Sequence, residues 1–148
     1  MDAVDRVILG QLLRIGRSPL QVLARRSGLS VSAMSVRVRR LEEAGVIAGF
    51  RAQVDLDAVG RPVQAVVRVG LAPATERPIF EKWLGGRPAV TAAWRLAGDA
   101  DYAVHLACRD LGDLDDEVRE LTAHGGAERT STSMVLHTVP DLGGHLTD

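Results

Sequence analysis

Ser18-Pro-Leu-Gln-Val-Leu-Ala-Arg-Arg-Ser-Gly-Leu-Ser-Val-Ser-Ala-Met-Ser-Val-Arg-Val-Arg-Arg-Leu41 reads as two short helices joined by a Gly-centred turn. Leu20, Leu23 and Ala24 give the first helix an inner face, and Met34, Val38 and Leu41 recur at i, i+4, i+7 along the second. Ser18 is the expected cap of the first helix, and Pro19 suits its first turn. Gly28 can take the left-handed conformation where that helix ends, and Ser30 or Ser32 can cap the next. The second helix opens on small residues and carries Arg37, Arg39 and Arg40. This is the layout of a helix-turn-helix, whose second helix enters the major groove of double-stranded DNA. A small helix start lets the backbone approach the base edges, and arginines meet phosphates or guanines. The candidate DNA-contacting residues are therefore Ser30, Ser32, Ala33, Val36, Arg37, Arg39 and Arg40. Ser32, Val36, Arg39 and Arg40 lie roughly opposite the apolar stripe, with Ala33 and Arg37 on its flanks. The competing reading is a helical hairpin with a solvated basic face, because short matches of this kind are common.

The charge distribution favours the first reading. The chain of 148 residues has a formal net charge of −1, but the charge is unevenly divided. Met1 to Arg51 holds nine Arg against four Asp and Glu, a net of +5, and the remainder is at −6. A basic end on an acidic body suits nucleic-acid contact through that end. The single cysteine, Cys108, excludes an internal disulfide and sits in an apolar run as a small core residue. Asp2, Asp5 and Arg6 interrupt the start, so no signal peptide is read there. No apolar run reaches the roughly 18 residues that span a membrane. The expected setting is the cytoplasm, without membrane association.

Working outward, Val4, Ile8, Leu12 and Leu9, Leu13 form a helical stripe, with Asp2 as cap and Gly16 as stop. Three helices make a trihelical or winged-helix-like head. Val46 to Asp55 is a candidate linker strand, and Gly60-Arg61-Pro62 is a break. The period then changes to two. Val63 to Leu71 alternates, Thr75 to Gly85 is helical with Ile79, Phe80, Trp83 and Leu84 inward, and Val90, Ala92, Trp94, Leu96 alternate. Tyr102, Val104, Leu106, Cys108 alternate again, Leu111 to Leu121 is helical with Asp110 as cap, and Thr130 to Leu136 closes as a strand. The order βαββαβ is that of a ferredoxin-like unit. The fold class is α+β: a helix-turn-helix head over 1–50, a linker strand and hinge over 51–62, and a ferredoxin-like domain over 63–148. The second sheet face is built from Ala89, Ala93, Ala97, Ala103 and Ala107 with Val66 and Val135. An open antiparallel sheet should be polar on that side, so a second copy is expected to pack there as a homodimer. Pro140 to Asp148 reads as a loose tail.

The residues of the chain resemble the Lrp/AsnC (feast/famine) family of transcriptional regulators over nearly its full length. The resemblance rests on Met1 to Leu9, on Gly28-Leu29-Ser30 with Arg37 to Ile47, on Gly98-Asp99-Ala100-Asp101-Tyr102, and on Thr130-Ser131-Thr132 with Val135-Leu136. It implies a DNA-binding regulator that is not an enzyme, dimers formed through the C-terminal domain with help from the linker strand, and assembly to a higher even oligomer such as an octamer. It also implies an amino-acid or related effector held between dimers beside the Gly-Asp hairpin. The chain departs from the family in having Ala33 where a hydroxyl residue is common, in having a single lysine, and in a looser Gly125-Gly126 approach to the last strand.

The effector-binding candidates are Gly98, Asp99, Asp101, Thr130 and Thr132. The two carboxylates suit a ligand ammonium, and the N–H groups near Gly98 suit its carboxylate. The plainer reading is a hairpin turn with two solvated carboxylates beside cross-strand threonines. The four histidines lack metal-ligand spacing, and no nucleophile motif or phosphate loop is present, so no metal and no cofactor is expected. The alternative function is a metabolite-binding regulatory subunit of an enzyme, with a head that binds protein and not DNA.

Overall fold

The computed structural model describes residues 1–139, so the tail from Pro140 lies outside the described residues. The chain forms two compact units, Met1–Gln53 and Val54–Thr138.

The first unit contains α1 (Ala3–Ile15), α2 (Leu20–Ser27) and α3 (Val31–Glu43). The apolar stripes meet in one small core of Ile8, Leu23, Ala24, Met34 and Leu41, ringed by half-buried leucines and valines. Asp2 caps α1 in a reciprocal box: Asp2 Oδ1 accepts from the Asp5 N–H at 2.9 Å, and Asp5 Oδ2 accepts from the Asp2 N–H at 3.0 Å. Ser18 does not cap α2. Pro19 takes the cap position, and the Ser18 hydroxyl instead accepts from buried Gln11 Nε2 at 3.3 Å. The hydroxyl thus gives the buried Gln11 amide an acceptor. Ser30 caps α3, accepting from the Ala33 N–H at 3.2 Å. Gly28 sits at φ +66°, ψ +24°, the left-handed turn that separates α2 from α3.

The linker is not a strand: no strand is assigned between α3 and Val63. A strand needs a partner strand for its backbone groups, and residues 48–55 find none among the described residues. Asp55 Oδ1 accepts from the N–H groups of Asp57 and Ala58, which makes a turn before the Gly60 break.

The second unit follows the order β1 (Val63–Leu71), α4 (Arg77–Gly85), β2 (Val90–Arg95), β3 (Tyr102–Cys108), α5 (Leu111–Ala123), β4 (Ala127–Met134). The sheet runs β2-β3-β1-β4 with every neighbouring pair antiparallel, the ferredoxin-like arrangement. Ala65, Val67 and Val69 of β1 face Phe80, Leu84, Leu114 and Leu121 of the helices. Phe80 lies tilted against Tyr102 at 4.9 Å between ring centroids. Cys108 is fully buried, and desolvation pushes its thiol up to about 11, so it stays protonated and inert.

Three details differ from the periodicity. Ile79 points to solvent, because α4 covers the sheet only with its Phe80–Leu84 side. A bulge between Val90 and Ala92 reverses the phase of β2: Val90 pairs with core-facing Leu106, but Trp94 pairs with Ala103 of the opposite face. Trp94 is therefore 53% exposed, and Ala93, paired with Val104, turns towards the helices. Ala107 is already fully covered within the chain, and Arg61 Nη1 donates to its carbonyl at 2.8 Å. The Gly125-Gly126 pair is tightly packed: a Cβ on Gly126 would lie 2.6 Å from Thr75 Oγ1, and one on Gly125 would lie 2.7 Å from the Leu121 carbonyl.

Several carboxylates make the fold acid-sensitive. The Arg109 guanidinium and backbone N–H hold Asp113 down to about 2 from its ordinary 3.8. Asp2 and Asp5 are lowered first by each other's backbone N–H and then by Arg37. A depressed folded pKa gives stability that is present above the unfolded value and lost as pH falls through the folded one. The Asp113→Asn variant is expected to melt below the parent at pH 7, with the gap closing between pH 3.8 and about 2 in calorimetric scans.

Candidate nucleic-acid interface and effector region

The outer surface of α3 carries most of the candidate DNA contacts. Ser30, Ser32 and Ala33 are exposed at its start, with Ser30 Oγ and Ser32 Oγ 3.1 Å apart. Val36 is 69% exposed, a β-branched side chain held out to solvent in the middle of a helix. An apolar contact with thymine methyl groups suits such a residue. Arg39 and Arg40 are exposed and enter no ion pair among the described residues. Six further arginines of this unit, Arg6, Arg14, Arg17, Arg25, Arg26 and Arg51, are also exposed.

Arg37 departs from the group. Its Nη1 donates to Asp2 Oδ2 at 2.7 Å and to Asp5 Oδ1 at 2.8 Å. The Asp5 side chain is only 2% exposed. Arg37 therefore ties α3 to the start of α1 and does not stand as an open phosphate ligand. No sequence spacing shows this, because the partners are 32 and 35 residues apart. The signal that was present is the acid pair at the cap of α1, which carries more charge than a cap needs.

The predicted effector residues fall into three places. Gly98 is at φ +152° in the turn between β2 and β3, and Asp99 follows on the open side of the sheet, where it pairs with Arg68 of β1. Asp101 serves the fold. Its Oδ2 accepts from the Leu71 N–H at 2.9 Å and its Oδ1 from Arg77 Nη2 at 3.3 Å, which lowers its pKa through the backbone bond first. It thus ties the hairpin to β1 and α4. Thr130 and Thr132 pair with Val69 and Val67, on the helix-facing side of β4, and Arg129 and Ser131 pair with Gly70 and Arg68 on the open side. A concavity of about 550 Å³ gathers Arg68, Asp99, Arg129, Thr130 and Ser131. Gly98, Asp101 and Thr132 are not on its wall. Arg68, missed from the sequence, is a charged residue on a predicted strand face that is otherwise mostly small or apolar; Arg129 precedes the strand read from Thr130, and β4 includes it because it starts at Ala127.

A trihelical head with a basic second turn helix, followed by a ferredoxin-like domain, defines the class of DNA-binding transcriptional regulators with an attached ligand-binding domain. Residues 1–48 match the pattern of the winged helix-turn-helix DNA-binding family, and residues 64–143 match that of the Lrp/AsnC ligand binding domain. The chain belongs to the Lrp/AsnC family. It is 34% identical over 144 residues to a leucine-responsive regulatory protein of Rhizobium meliloti, covering 95% of this chain and 92% of that protein. It is 38% identical over 139 residues to the HTH-type transcriptional regulator AldR of Mycolicibacterium smegmatis, covering 92% and 81%. Among solved structures, a transcriptional regulator of Neisseria meningitidis in complex with L-methionine superposes with a TM-score of 0.88 at 28% identity, covering 95% and 93%. A feast or famine regulatory protein of M. tuberculosis complexed with L-methionine gives 0.87 at 30% identity, covering 96% of each chain. Among the described residues, no helix is long and apolar enough to cross a membrane.

Proposed function

We propose that this transcriptional regulator binds a pseudo-palindromic DNA duplex as a homodimer or a higher even oligomer such as an octamer, in the cytoplasm, and that an amino acid or related metabolite sets its DNA affinity. The observation that carries the DNA reading is α3, with Val36, Arg39 and Arg40 turned to solvent beside a helix start made of Ser30, Ser32 and Ala33. Two-fold symmetry in the protein demands matching half-sites spaced by about 34–36 Å or a multiple. Arg39 and Arg40 contact phosphates, Val36 reads methyl groups, and Arg37 positions α3 from behind.

Arg40→Ala is expected to weaken binding to all duplexes alike and to lower the salt slope of the binding constant by roughly one unit. Fluorescence anisotropy across a salt series measures it. An unchanged slope removes Arg40 from the interface.

The effector reading rests on the concavity beside the Gly98–Asp101 hairpin and on the L-methionine complexes of two relatives. Asp101 is assigned to the fold and Asp99 to the site. Calorimetry of the full chain against the twenty amino acids tests it, and a panel with no binder defeats it. The dimer reading rests on the open sheet face, where Val66, Ala92 and Ala103 are half-buried around exposed Trp94.

A further inference from the structure

One end of the DNA-binding head leaves apolar surface uncovered. The last turn of α1, the start of α2 and residues 50–53 bound a groove of about 920 Å³, whose floor is the edge of the head's own core. Leu13, Ile15 and Phe50 stand around it, each half exposed or more. Single exposed apolar residues are ordinary, but several around one groove mark a docking surface. Arg14, Arg17 and Arg51 line the same groove, are exposed, and enter no ion pair among the described residues. The outer face of α3, with Ser32, Val36, Arg39 and Arg40, takes no part in it, so the DNA reading leaves the groove unused.

The occupant must bring apolar side chains for the three exposed ones and negative charge for the three arginines. Residues 140–148, Pro-Asp-Leu-Gly-Gly-His-Leu-Thr-Asp, carry both. Leu142 and Leu146 are their large apolar side chains, and Asp141 and Asp148 are unopposed by any Lys or Arg. Gly143 and Gly144, between the leucines, let a backbone lie close to the surface it crosses. The place where the described chain ends agrees: Val139 groups with the first compact unit, whereas Thr138 groups with the second. A further nine residues can span up to about 30 Å. A second head packed groove to groove would set arginines against arginines, and like charges across an interface are unfavourable. We propose that the groove is the docking site of the chain's own segment 140–148, with Leu142 and Leu146 on Leu13, Ile15 and Phe50, and Asp141 and Asp148 against Arg14, Arg17 and Arg51. Docking covers the weak side of a head too small to bury these side chains in its own core. It also takes three arginines out of the pool of phosphate ligands, so that the free positive charge of the head lies elsewhere, α3 included.

Amide hydrogen exchange on the full chain tests the contact. Leu142→Ser/Leu146→Ser and Asp141→Arg/Asp148→Arg are each expected to speed exchange in the last turn of α1 and in α2 roughly tenfold, and to leave β1 and β3 unchanged. Arg17→Asp/Arg51→Asp, at positions outside the helices, is expected to do the same. Combining it with Asp141→Arg/Asp148→Arg restores the charge pairing in reverse and is expected to bring protection back. Exchange that is unchanged in both segment variants overturns the proposal, and so does a combined variant that stays as fast as its parents. Should Arg17→Asp/Arg51→Asp fail to fold, as a circular dichroism melt would show, the segment variants still decide. A disulfide identifies whose segment occupies the groove. Cys108 is buried with its thiol raised to about 11 and does not compete. Ile15→Cys/Leu146→Cys is expected to oxidise to an intrachain disulfide, seen as a faster band on a non-reducing gel, roughly tenfold faster than the control Val7→Cys/Leu146→Cys, whose first cysteine lies on α1 away from the groove. Disulfide-linked dimers would give the groove to the segment of a second copy and overturn the assignment to the same chain. Oxidation no faster than the control would leave the groove without this occupant and overturn it as well.

Discussion

Replacing Asp5 with Ala is expected to unfold the DNA-binding head while leaving the C-terminal unit folded. Asp5 is 1% exposed, yet it is charged and makes two kinds of contact. Its carboxylate accepts from the Asp2 N–H in the capping box and from Arg37 of α3. Removing it deprives α1 of half its cap and leaves Arg37 with only Asp2, whose side chain is 52% exposed. Breaking a buried ion pair from one side costs about 3–5 kcal/mol, and the figure here is about 2–3 because one partner reaches solvent. That is large for this unit. Its core has five buried apolar residues, and a domain of this size is marginal. Amide hydrogen exchange resolved along the chain measures the effect: protection in α1 to α3 should fall, protection in β1 and β3 should hold, and DNA binding should be lost. Asp2→Ala should fall between parent and Asp5→Ala. A head that keeps its protection in Asp5→Ala would show that the apolar core alone holds α1 against α3.

The same cluster shows where sequence reading stops. The three helical stripes, the βαββαβ order and the basic face of α3 are local patterns, set by periodicity within a dozen residues, and the structure follows them. Arg37 looks like its neighbours Arg39 and Arg40 in sequence. Only the crossing of α1 and α3 brings it to Asp2 and Asp5. Trp94 failed for a related reason. Alternation assumes an unbroken pleat, and the bulge between Val90 and Ala92 moves every later β2 side chain to the other face. Ser18 stands where a helix cap is expected, but its hydroxyl accepts from the Gln11 amide, seven residues back on α1. Gly125 and Gly126 looked loose as a dipeptide and are required by contacts with Leu121 and Thr75. In the effector region, the Gly-Asp hairpin was visible because turn residues carry their own signature. The arginines that grip it lie about thirty residues away along the chain, on β1 and β4.

The misplaced tryptophan bears on assembly. An antiparallel sheet with helices on one face should present polar residues on the other. Here the rows across the open face read Val66, His105, Ala92 and Arg68, Ala103, Trp94. Trp94 is 53% exposed in the single chain, so its substitution costs the isolated fold little. Buried aromatic residues dominate association energies, and truncating one at the centre of an interface costs about 2 kcal/mol or more, roughly thirtyfold in the dissociation constant. Trp94→Arg adds the desolvation of a charge to that loss. If the parent is a dimer or higher oligomer through this face, the variant is expected to be monomeric at micromolar concentration, with an unchanged circular dichroism spectrum. Ala107 is a poor site for the same test, because it is already buried within one chain. Sedimentation equilibrium reads the outcome, and a parent protein that is itself monomeric would remove the open face as an interface. The consequence reaches the DNA. Two linked heads engage two half-sites with an avidity about 10²–10⁴ beyond that of one head. Trp94→Arg should therefore lose most affinity for a two-half-site operator and little for a single half-site, although no residue of α3 has been touched.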